Sequence, residues 1–156
     1  MECLKERIKV SESIRIVVRD KATGKILRDE TYEVKVPRLK RLLFRLLGKR
    51  AHGTVTSYGK EMAARLYGNV GTAYHINQIG AKRDTTWDYK TSSNSYEAVG
   101  KLKVSNSSDP WDVAGTYTEI RCRNSGDTGN YHNSISINVT IASGQEWWAE
   151  VVFTFS

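Results

Sequence analysis

The residue types that could do chemistry in this chain are few and scattered. His52, His75 and His132 sit in unrelated contexts, none at a catalytic spacing from a cysteine, serine or carboxylate, and a general base needs such a partner to orient it. Asp84 and Asp88, four apart in KRDTTWDYK, offer two carboxylates. They lack the regular acidic spacing and closing glutamate of a calcium loop and read as a solvated turn. Cys3 and Cys122 lie 119 positions apart, with no CxxC motif or Cys/His cluster, so no zinc or redox site is expected and no disulfide is indicated. No GxSxG, P-loop, HExxH or GxGxxG following a strand occurs. The expectation is a protein without catalysis, cofactor, metal or small-molecule substrate.

What remains is contact chemistry. Trp87, Tyr89 and Trp111, with Tyr96 nearby, fall in or beside polar, loop-like runs, where a ring can stack on a sugar face or a partner protein, or fold back onto its own sheet. A second set lies in PRLKRLLFRLLGKR, residues 37–50. Arg38, Lys40, Arg41, Arg45, Lys49 and Arg50 form an acid-free basic group suited to phosphate or acidic lipid. Leu39, Leu42, Leu43, Leu46 and Leu47 follow the i, i+3, i+4, i+7, i+8 spacing of one helical stripe.

That spacing predicts a helix near 38–48, with Pro37 at its first turn and Gly48 as its C-cap. Roughly a dozen residues span about 18 Å, short of the ~30 Å of a bilayer core. Burying five leucines is worth about 8–15 kcal/mol gross, so the stripe calls for a cover: its own sheet, a neighbouring subunit or a lipid interface.

The net charge of +7 is unevenly spread. Residues 1–50 carry +8 and residues 51–156 carry −1, so the basicity belongs to the first third and not to the chain as a whole. The N-terminus mixes acids and bases without a long apolar run, which is neither a signal peptide nor a transit peptide. Asn106-Ser107-Ser108 and Asn138-Val139-Thr140 match the glycosylation triplet, a pattern frequent by chance.

The elements that must position these residues are mostly strands. Residues 13–36 read as a hairpin around DKATGK, with Ile14, Ile16 and Val18 on one face and Tyr32, Val34 and Val36 alternating in the second arm. Residues 57–67 predict a second short helix with Ser57 as N-cap, Met62, Ala63, Leu66 and Tyr67 as its apolar side and Gly68 as its stop. HINQIGAK, SYEAVGKLKVS and GTYTEIRCR are strand candidates between turn-rich runs such as KTSSNS and NSSDP. SISINVTI puts Ile135, Ile137, Val139 and Ile141 on one face. WWAEVVFTF puts Trp147, Ala149, Val151, Phe153 and Phe155 on one side of a closing strand, so Trp147 and Trp148 must face opposite ways.

Short strands at regular spacing after two short helices predict a mainly β chain, an antiparallel β-sandwich or small barrel of jelly-roll or Ig-like type. The layout expected is one domain over 1–156: hairpin 13–36, basic helix 37–50 and a sandwich body from 70 to 156.

The order of motifs also resembles small β-rich structural proteins of bacterial and archaeal viruses. It runs from a TGK turn through TVTSYGKEMAARLYG and HINQIGAK to ISINVTIASGQEWWAEVVFTFS. The resemblance covers residues 14–156. Two features depart from it: GAKRDTTWDY stands where a glycine-rich GtGt run is usual, and the basic leucine-rich segment is inserted before TVTS. The resemblance implies a tail-, nozzle-, adaptor- or capsid-associated homo-oligomer in the virion, made in the host cytoplasm, contacting other virion proteins and, through residues 38–50, packaged nucleic acid or acidic lipid. Two other readings stay open: a glycan- or cell-surface-binding module, and a nucleic-acid-binding protein acting through the basic helix.

Overall fold

The alternating runs of the sequence are strands in the computed structural model, which describes residues 10–34, 52–68, 71–72 and 74–155. β1 (Val10–Asp20) and β2 (Ile26–Val34) pair antiparallel. Asp20 closes their turn, its Oδ1 accepting from the Thr23 amide and hydroxyl at 2.8 Å each. Gly24 there takes a φ of 70°, which a residue without Cβ adopts freely.

β3 (His52–Val55) leads into α1 (Ser57–Gly68). The N-cap is Thr56 and not Ser57: the Gly59 amide donates to Thr56 Oγ1 at 3.0 Å, satisfying one of the orphan donors of the first turn. The same hydroxyl donates to the Tyr131 carbonyl at 2.6 Å and so fastens the helix to a distant loop.

Seven further strands follow: β4 (Gln78–Arg83), β5 (Thr86–Thr91), β6 (Ser93–Ala98), β7 (Lys101–Ser105), β8 (Gly115–Arg123), β9 (Asn133–Ile141) and β10 (Gln145–Phe155). Two antiparallel five-stranded sheets result. Sheet A runs β2-β1-β10-β7-β6 and sheet B runs β3-β9-β8-β4-β5. The chain is mainly β, and the expected alternative of a small barrel is corrected: neither sheet closes on itself among the described residues. One short helix, α1, is described, and the one expected near 38–48 lies outside the described residues.

SYEAVGKLKVS, expected as one strand, is two. β6 and β7 fold on each other around Val99-Gly100, with Gly100 at a φ of 72°. KTSSNS, expected as a turn, forms the end of β5 and the start of β6. Both strands lie at a sheet edge, where half the backbone faces water and polar side chains are tolerated.

The inner faces of the two sheets contribute to one hydrophobic cluster. Ile14, Ile16 and Val18 of β1 and Ala149, Val151 and Phe153 of β10 meet Ile79 and Ala81 of β4 and Ile135, Ile137, Val139 and Ile141 of β9. At its centre Trp111, Trp147 and Tyr117 form an aromatic knot, with ring centroids 4.4 Å apart for the two tryptophans and 5.0 Å for Tyr117 and Trp147. Trp148 faces the other way, over Val17, with the Arg19 guanidinium 5.2 Å from its ring.

Candidate contact surfaces

The outer face of sheet B gathers side chains that lie far apart in sequence. On β4 the core takes Ile79 and Ala81, so Gln78, Gly80 and Lys82 face outward. Register then places Trp87 and Glu119 opposite Lys82, Tyr89 and Arg121 opposite Gly80, and Arg123 opposite Gln78. Trp87 and Tyr89, two apart on β5, stack at 5.8 Å with 23° between their planes.

Guanidinium groups lie on these rings. Arg123 sits 3.2 Å from the Tyr89 centroid. Arg121 sits 4.3 Å from the Trp87 centroid and 4.0 Å from that of Tyr131. Each guanidinium is also fixed by a hydrogen bond, Arg121 Nε to Glu119 Oε1 at 2.9 Å and Arg123 Nε to Gln78 Oε1 at 3.0 Å. Ser134 Oγ donates to the same Glu119 oxygen at 2.6 Å. The result is a half-buried surface of planar groups held in place, of the Trp, Tyr and Arg composition that dominates binding hot spots.

Gly80 makes the layer possible. A Cβ at this position would run into the Tyr89 ring, meeting its Cδ1, Cε1 and Cζ. Gly80→Ala is therefore expected to destabilise the protein by about 1 kcal/mol, by displacing Tyr89 and unstacking Arg123. In a Tyr89→Ala background the same change is expected to stabilise by about 0.5–1 kcal/mol, the ordinary gain of Ala over Gly in a strand. Urea unfolding of the four proteins gives the cycle, and equal effects in both backgrounds would contradict the packing described.

The sequence-predicted contact residues separate sharply. Trp87 and Tyr89 are on this face, on a strand and not in a loop. Trp111 is a correction: it is 0% exposed, its indole donating to the Asp88 carbonyl at 3.1 Å. It also exchanges backbone bonds of 2.8 and 2.9 Å with Trp147, so it cannot serve as a surface or glycan contact. Arg38, Lys40, Arg41, Arg45, Lys49 and Arg50, and the stripe Leu39, Leu42, Leu43, Leu46 and Leu47, lie outside the described residues. Asp84 sits in the β4–β5 turn at a φ of 55°, and Asp88 is on β5 with Lys90 Nζ 3.9 Å away. Arg121, Arg123 and Tyr131 were missed; the i, i+2 spacing shared by Trp87/Tyr89 and Arg121/Arg123 puts each pair on one strand face and was a signal for the two arginines, whereas Tyr131, in the loop before β9, carries none in the local sequence.

No family model, curated protein or solved structure matches the chain.

A second surface lies where β1 begins and β10 ends. A cavity of about 130 Å³ opens there between α1 and the inner face of sheet A, lined mainly by apolar groups including Val10, Leu102, Phe153 and Phe155. Around it Val99 is 91% exposed, Tyr96 73% and Phe155 37%. They are neighbours by register: Tyr96 pairs with Leu102, Leu102 with Phe153, and the Phe155 amide bonds the Gly100 carbonyl at 2.8 Å. No helix of the described residues is long and apolar enough to cross a membrane.

Beneath this end, a buried polar bridge joins the sheets. Asn133 of β9 donates from Nδ2 to Glu12 Oε1 of β1 at 2.7 Å and accepts the Cys122 amide at 2.8 Å. Burial pushes the Glu12 carboxyl up to about 7, against the smaller opposing effect of the Asn133 bond, and pushes the Cys122 thiol up as well. His132, packed edge-on against Tyr58 at 5.3 Å, is held below its ordinary pKa by burial. Among the described residues no group of three His, Cys, Asp or Glu is placed to hold a metal.

Proposed function

We propose that this chain is a virion structural or assembly protein, a β-sandwich building block working as a homo-oligomer without catalysis. The observation that carries the reading is the apolar end. Phe155 lines an open apolar cavity, and Val99 and Tyr96 stand exposed on the adjoining β6–β7 hairpin; exposed apolar groups gathered at one end are characteristic of a protein contact.

The motif order of tail- and capsid-associated proteins supports the same reading. So does the connectivity, in which hairpins β1–β2, β4–β5, β6–β7 and β8–β9 alternate between the two sheets and β10 returns between β1 and β7. This is the style of the antiparallel sandwiches from which such assemblies are built. Neighbouring copies and other virion proteins are the partners expected at this end.

The glycan-binding alternative finds less support: Trp111 is core, and the Trp87 ring already carries Arg121. Light scattering on the purified chain tests the proposal. Oligomers are expected, and Val99→Asp should shift them toward monomer; a monomer at every concentration would count against it.

A further inference from the structure

We propose that the outer face of sheet B binds single-stranded nucleic acid, with the bases stacking on the plane of Arg123 and on Tyr131, and the phosphates meeting Arg121, Arg123 and Lys82. The inference goes beyond the assembly reading, since it concerns a different surface and stands whether or not the chain oligomerises.

Charge comes first. On the outer face of sheet A, Arg15, Arg19 and Lys103 are each paired with a carboxylate: Arg15 with Asp29 at 2.7 Å and Glu150 at 3.3 Å, Arg19 with Glu146, and Lys103 with Glu97 at 2.9 Å. On sheet B the outward cations Lys82, Arg121 and Arg123 share one described carboxylate, Glu119, which Arg121 engages. Arg123 is held instead by the neutral Gln78 and by a ring. The face keeps positive charge that an anionic partner would neutralise.

Shape selects among anions. A carboxylate or free phosphate needs only the N–H edges of a guanidinium, for which a mobile arginine suffices. Here both guanidinium carbons sit over aromatic rings, 3.2–4.3 Å from the ring centroids. Tyr89 covers one side of Arg123, and the other side presents a planar cation, a surface on which nucleobases stack. Arg121, held against Trp87 and Tyr131, is left with its edges for phosphate. The two arginines are two residues apart on one strand, about 7 Å, the scale of one nucleotide step in an extended chain. An acidic peptide would satisfy the charge and leave the planes unused.

Fluorescence anisotropy with a labelled short oligothymidylate tests this, using the full chain carrying Arg41→Glu and Arg45→Glu so that the basic segment of residues 37–50 contributes little. Binding is expected at about 50 mM salt, and the slope of log affinity against log salt should fall by about 0.7 for each phosphate contact removed. Tyr89→Ala should weaken binding about tenfold, the lower range of what one stacked base contributes. Arg121→Glu with Arg123→Glu should weaken it further.

Circular dichroism checks that the variants remain folded. Arg123→Gln, which removes the charge while retaining a polar side chain, serves as the milder substitution. Absence of binding, unchanged affinity in the arginine variants, or binding of polyglutamate or inorganic polyphosphate as tight as that of the oligonucleotide at equal charge would each overturn the proposal.

Discussion

Trp147→Ala is expected to destabilise the protein by about 3–5 kcal/mol, the cost of emptying a large aromatic site in a core that cannot collapse to fill it. Its ring is fully buried against Trp111 and Tyr117. Trp148→Ala, one residue on, should cost about 1–2 kcal/mol, because that ring lies on the outer face and loses a partly exposed contact with Arg19 and the cover of Val17. Urea unfolding followed by far-ultraviolet circular dichroism measures both. Equal losses would mean that the two tryptophans do not partition between core and surface.

Glu12→Gln should change the pH dependence of stability more than any other single substitution described here. The folded carboxyl keeps its proton up to about pH 7, whereas in the unfolded chain it releases it near the ordinary 4.5. A raised acid pKa means that the folded state binds the extra proton between these values, so stability is full at and below about pH 4.5, falls as pH rises, and levels off above about 7. The difference is worth on the order of 3 kcal/mol.

Glutamine keeps the acceptor for Asn133 Nδ2 and carries no charge. The variant should match the wild type near pH 4.5 and exceed it by on the order of 3 kcal/mol at pH 8. Groups whose carboxyls are lowered by partners, such as Asp29 beside Arg15 and Asp112 beside Lys21, act in the opposite sense in acid, and they do so equally in both proteins. Stability curves that run parallel from pH 4.5 to 8 would contradict the buried bridge.

Much of the sheet architecture was legible in local alternation. Ile135, Ile137, Val139 and Ile141 are all buried, as are Trp147, Ala149, Val151 and Phe153, because a strand with one face in the core must place apolar residues at every second position. Phe155, the last residue of β10, is 37% exposed.

What local pattern could not supply was pairing across distance. Trp111 looks like a loop residue among NSSDP and DVAG, yet two backbone bonds to Trp147, 36 residues on, draw it into the core. β6 is exposed along its whole length and carries no alternation to read; only its hairpin with β7 defines it. The candidate surface was half visible, since Trp87 and Tyr89 were singled out as a pair. Their meeting with Arg121, Arg123 and Tyr131 depends on the β4–β5 and β4–β8 registers and on a glycine that makes room for a ring.

The assembly reading is tested most directly by size-exclusion chromatography with multi-angle light scattering over a wide concentration range, on the wild-type chain and on Val99→Asp combined with Phe155→Asp. Both positions are exposed, so the fold should survive the changes. The expected result is a discrete oligomer for the wild type and a folded monomer for the double variant. A wild-type chain that stays monomeric throughout, or an oligomer that the two aspartates leave intact, would contradict it.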